Sequence, residues 1–124
     1  MLRPRALTIA LQNVNTGGIK SAMLFNLEGV LIAFTSPNGE DERTQAAIAA
    51  NIWNVYQKYL ESSETDVIQE IMMDFSEGRL LISRISSLLL CLHGSKEVPL
   101  GMLRAKASTI VRNLEYPLKM LTSS

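Results

Sequence analysis

Hydrophobic positions between Asp41 and Leu60, DERTQAAIAANIWNVYQKYL, recur at helical spacing and predict one long helix. At about 100° per residue, Ile48, Ile52, Val55 and Tyr59 fall on one side. Ala46, Ala49, Trp53, Tyr56 and Leu60 fall on a second face beside it, and Asn51, Asn54, Gln57, Lys58 and Glu61 crowd the remaining arc. The two apolar faces cover roughly half the circumference, whereas a surface helix needs a stripe only about 100° wide. A chain of 124 residues has few elements with which to wrap a helix on both sides. One face therefore packs on the protein's own sheet and the other awaits a second chain. The Trp53 face is assigned to that second chain; the alternative is a helix sunk wholly in its own domain.

The rest of the chain alternates in period as well. Pro4 to about Val14, with Leu7 and Leu11 four apart, reads as a short amphipathic helix that stops at Asn15-Thr16-Gly17-Gly18. Ile19 to Phe25 and Val30 to Thr35 read as strands joined across Asn26-Leu27-Glu28-Gly29 into a hairpin. Ser36-Pro37-Asn38-Gly39 is turn chemistry. After the long helix, Val67 to Phe75, Arg79 to Ile85 and Leu88 to His93 form a three-strand meander, the first turn being Ser76-Glu77-Gly78. Val67, Gln69, Ile71, Met73 and Phe75 share one side of the third strand, which lacks the proline or lysine that blunts an exposed edge and so offers itself to a partner. Pro99 opens a last helix with a single stripe, Leu103, Ala107, Ile110, Leu114 and Leu118; Pro117 is expected to kink or end it and leave a looser tail. The element order implies an α+β domain, an antiparallel sheet with helices on its faces, over residues 1–124.

Composition narrows the function. Twelve basic and twelve acidic residues cancel, so no field draws the chain to nucleic acid or to an acidic membrane. Charged residues are 19% and hydrophobic ones 47%, which leaves little charge to cover a small domain. MLRPRALTIAL mimics a signal peptide, but the apolar run Ala6 to Leu11 is short and contains Thr8, and no run approaches a membrane span of about 20 residues. Residue 2 is Leu and the chain ends LTSS, so neither a myristoylation nor a prenylation signal is read, and direct membrane binding is not expected.

Candidate chemistry is sparse. Cys91 sits in the apolar run LLLCLH as a small buried hydrophobe, and His93 closes the same strand. A single Cys and a single His do not make up a metal-ligand set, and no phosphate-cradling glycine motif occurs. Asp74, Glu77, Arg79 and Arg84 cluster about one hairpin, where turn and rim ion pairs explain them more cheaply than an anion site. No catalytic residue, cofactor or metal is assigned, and the chain is read as a non-enzyme.

Taken together, MLRP…NTGG, LFNLEG, AAIAANIWNVY, MMDFSEGRLLISRISSLLLC and GMLRAKASTIVRNLEYPL resemble the roadblock family, nearly end to end from Met1 to about Pro117. The N-x-E-G turn is a weak motif alone; its order with the NIW helix and the EGR…LLLC meander is specific. Pro37 to Glu42 and Leu60 to Asp66 diverge. The resemblance implies a profilin-like, five-stranded antiparallel sheet with the middle helix on one face and the two terminal helices on the other. It implies dimerisation by pairing third strands and packing middle helices together. It further implies an adaptor role on late endosomes and lysosomes in mTOR and MAPK signalling. There the expected partners are a sibling roadblock subunit, a lipid-anchored wrapping subunit and Rag-type small GTPases. Guanine-nucleotide exchange belongs in that setting to the whole assembly, and no residue here is an obvious carrier. A homodimeric dynein light chain of the same fold is the competing reading, with a small-molecule sensing domain behind it. The MLRP opening and the NIW helix favour the scaffold.

Overall fold

The computed structural model describes residues 7–8, 11–12, 17–35, 42–60, 67–76 and 78–122, with 42–43 and 116–122 described by backbone alone. Its elements are β1 (Ile19–Asn26), β2 (Leu31–Thr35), α1 (Glu42–Leu60), β3 (Glu70–Phe75), β4 (Gly78–Ile85), β5 (Leu88–Gly94) and α2 (Leu100–Thr122). The strands form one sheet in the order β2-β1-β5-β4-β3, antiparallel at every pairing, with β2 and β3 at its edges. Of the expected first helix, Leu7, Thr8, Leu11 and Gln12 are helical and the remainder lies outside the described residues.

Side-chain alternation sorts the core into two layers. Leu24, Leu81, Leu90 and Leu92 meet Leu103, Ala107, Ile110 and Leu114 of α2, together with Leu7 and Leu11. On the opposite face Met23, Phe25, Ile82, Leu89 and Cys91 meet Ala46, Ala49, Ala50 and Trp53 of α1. The middle helix thus covers one face while the N-terminal residues and α2 cover the other, as the element order predicts. β1 and β5 are apolar on both sides because both layers rest on them.

Two turns place α1. The β1–β2 turn is built on Asn26, whose Oδ1 accepts N–H bonds from Glu28 and Val30, each 2.9 Å, while its carbonyl accepts the Gly29 N–H at 2.9 Å. Gly29 takes φ 87°, and a Cβ there would stand 3.0 Å from the Ala47 Cα, so only glycine lets helix and turn touch. Asn54 Nδ2 then donates to the Leu27 carbonyl at 2.7 Å and pins α1 to the hairpin.

Two boundaries differ from the sequence expectation. β3 begins at Glu70, and 67–69 are not strand, although β4 runs on past Ser83, the partner of Glu70, to Ile85. The last contact is the Arg84 N–H donating to the Gln69 carbonyl at a long 3.5 Å. α2 continues through Pro117 to Thr122, so proline does not end it and 118–122 are not a loose tail. Proline removes one N–H from the helical ladder, and the bonds on either side carry the helix across the gap.

Candidate protein-protein interface

α1 carries both of its apolar faces into the structure, in exchanged roles. Ala46, Ala49 and Trp53 are buried against the sheet, Trp53 with only 1% of its surface exposed. Those three residues were expected to face a partner; they are core, and that assignment is corrected. The alanines explain the choice physically. Small side chains let the helix approach the strands closely, and the single indole fills the space left between them. Helical periodicity separates the two faces without saying which of them the sheet takes.

What stays open is the other face. Ile48, Val55, Tyr56 and Tyr59 are 55%, 48%, 56% and 77% exposed, and Ile52 and Leu60 are half-buried. Tyr56 and Leu60, grouped in the sequence with the Trp53 face as residues for a partner, part from it here: Tyr56 is exposed and Leu60 half-buried. Ile48, Ile52, Val55 and Tyr59 were visible as a stripe in the sequence but were given to the protein's own sheet. The signal that separates them is size: the buried face is rich in alanine, and the open face holds large side chains.

β3 supplies the second part of the surface. It ends the sheet, and its Ile71 and Met73 pack, half-buried, against the Trp53 cluster on the α1 side. Phe75 is exposed at the end of that row, its ring 5.4 Å from the His93 ring. Val67 and Gln69 are exposed and precede the strand. Because the Gln69 carbonyl bonds Arg84, odd-numbered residues of β3 direct their backbone groups to β4. Glu70, Met72 and Asp74 consequently turn theirs toward the open edge.

The polar cluster at the β3–β4 hairpin resolves into rim contacts. Arg79 Nε lies 3.0 Å from Asp74 Oδ1 and its Nη1 donates to the Val98 carbonyl at 3.2 Å, while Arg84 Nε donates to the Ser86 carbonyl at 3.1 Å. Glu77 lies outside the described residues. Burial pushes the Cys91 thiol from 9.0 up to about 12, so it is an inert core atom at neutral pH. Among the described residues no three His, Cys, Asp or Glu side chains group as metal ligands, and no helix is long and apolar enough to cross a membrane. A depression of about 440 Å³ between α1 and the β1–β2 turn, lined by Leu27, Thr44, Ile48 and Asn51 among others, is open to solvent and holds no convergent charged set.

The Roadblock/LC7 domain model matches residues 7–93, most of the chain and every strand of the sheet. This chain belongs to the Roadblock/LC7 family. Within it, the chain is 30% identical to the Ragulator complex protein LAMTOR2 homolog of Caenorhabditis elegans, over 95% of this chain and 94% of that protein. Myxococcus xanthus MglB shares the fold at a TM-score of 0.84 and 14% identity, covering 98% of this chain and 95% of that one. A Roadblock/LC7 domain from Streptomyces avermitilis does so at 0.81 and 13%, covering 90% and 97%. The roadblock motifs read from the sequence, and the α+β sheet they implied, thus stand on the family match and on the fold.

Proposed function

We propose that this roadblock domain is a non-catalytic adaptor subunit of a Ragulator-type complex, which pairs with a sibling roadblock chain through β3 and α1. Two observations carry the reading: α1 presents a stripe of large apolar side chains to solvent, and among the described residues β3 ends the sheet with no strand beyond it. The match to a LAMTOR2 homolog supplies the kind of assembly. In it, the joined pair is wrapped by a lipid-anchored subunit, sits on the cytoplasmic face of late endosomes and lysosomes, and offers a platform to Rag-type GTPases in mTOR and MAPK signalling. Membrane residence is borrowed, since stable anchoring takes two signals such as an acyl chain with a polybasic patch. The chain and its dimer should not float with anionic liposomes until the lipidated subunit is added.

Light scattering on the chain alone and mixed with a sibling roadblock protein tests the pairing. A one-to-one complex is expected, and Met72→Pro, which deletes an outward N–H while sparing the β3–β4 ladder, should abolish it. A folded Met72→Pro variant that binds with undiminished affinity overturns the β3 interface.

A further inference from the structure

The β4–β5 hairpin closes through two residues, Ser86 and Ser87, with Ile85 paired to Leu88 across them. Both serines are exposed, as is Arg84 before them, and neither serine packs into the core on either face of the sheet. Ser86 holds φ 55°, a conformation that costs a residue other than glycine. Arg84 bends back over the turn, its Nε donating to the Ser86 carbonyl at 3.1 Å. From Gly78 to Gly94 the chain holds no Asp or Glu. Glu70, opposite Ser83 on β3, is engaged by Arg104 at 2.6 Å, and among the described residues no ion pair engages Arg84. The turn therefore offers two hydroxyls beside one guanidinium that no carboxylate neutralises.

We infer that Ser87 is a phosphoacceptor for a basophilic protein kinase and that Arg84 holds the phosphate once it is attached. The inference is independent of the pairing proposed above. Kinases of this class carry an acidic cleft that selects a cation three residues before the acceptor, and Arg84 stands there, exposed, relative to Ser87. Ser86 lies one residue too close to it. A kinase cleft takes its substrate segment extended, so the end of the hairpin must open. The strain at Ser86 makes the two-residue turn, and not the ladder behind it, the part that yields. In the transfer the Ser87 Oγ attacks the γ-phosphorus of ATP, its proton passes to a kinase aspartate, and the β–γ bridging oxygen leaves with ADP. The product carries a charge of about −1.5 to −2 at neutral pH. The Arg84 guanidinium, already at the turn, meets that charge with charge-assisted hydrogen bonds.

The folded full chain, incubated with ATP and a calmodulin-dependent protein kinase selective for arginine three residues before serine, tests this. Tandem mass spectrometry reads the site and circular dichroism establishes folding of each variant. One phosphate on Ser87 is expected, with none taken up there by Ser87→Ala and Ser86→Ala modified at Ser87 like wild type. Arg84→Gln should slow the transfer at least about ten-fold. A folded chain that stays unmodified, a phosphate that goes to another residue, or Arg84→Gln modified at the wild-type rate overturns the acceptor site. The arginine contact has its own readout in a phosphorus NMR titration. The second ionisation of the phosphate, ordinarily near pH of about 6, should fall below its value in the same phosphorylated chain unfolded in urea, because a nearby cation favours the dianion. Equal values in the folded and unfolded chains overturn the role given to Arg84.

Discussion

α1 and α2 are helices of similar amphipathic strength laid on opposite faces of one sheet, and they end differently. α2 has one apolar stripe, Leu103, Ala107, Ile110 and Leu114, all buried, and its solvent side is chiefly polar: Arg104, Ser108, Thr109, Arg112, Asn113 and Glu115. α1 buries an equivalent stripe and still presents Ile48, Val55, Tyr56 and Tyr59 to water. Large uncovered apolar patches are uncommon, so the asymmetry supports the proposed contact on the α1 side of the sheet. An apolar stripe is the requirement of one contact. Two stripes on one helix are the requirement of two.

The comparison can be broken at its buried end first. Trp53→Ala should cost about 3–5 kcal/mol of stability, read by urea unfolding of the chain alone, because the indole is core and leaves a cavity. If Trp53 instead served a partner, the variant would unfold like wild type and lose only binding. Val55→Asp with Tyr59→Asp should do the reverse. Stability should hold within about 0.5 kcal/mol, while affinity for the sibling chain falls at least about ten-fold, seen by calorimetry.

Cys91, beneath α1, sharpens the same contrast by pH. Its folded pKa is raised from 9.0 to about 12, so between those values the unfolded chain has lost a proton that the folded chain keeps. Stability should therefore fall as pH rises above 9, by up to about 1.4 kcal/mol per pH unit, and Cys91→Ala should remove that slope in denaturant titrations. The smallest effect lies outside both helices. Ser86 holds φ 55° in the β4–β5 turn, and Ser86→Gly should add up to about 1 kcal/mol without touching partner affinity.

Much of this was legible before any coordinates. The apolar runs at 19–25 and 88–93, the Asn26–Gly29 turn and the single stripe of the last helix each map onto an observed element. Local chemistry was enough there, because a turn residue or a period acts within a few neighbours. Pro117 misled for the same reason: a local rule weighs one missing hydrogen bond without the helix around it.

That α1 has more apolar surface than one core can use, and that the third strand lacks the proline or lysine that blunts an edge, is readable from the residues alone. That Trp53 faces inward and Tyr59 outward, that β3 starts only at Glu70, and that Glu70 and Asp74 share a rim with their arginines follows from the packed fold. The reason is geometric. Periodicity fixes angles within an element, whereas the side that is buried depends on the distance at which two elements can meet. The alanines of one face and the large side chains of the other set that distance only once the sheet lies beneath them.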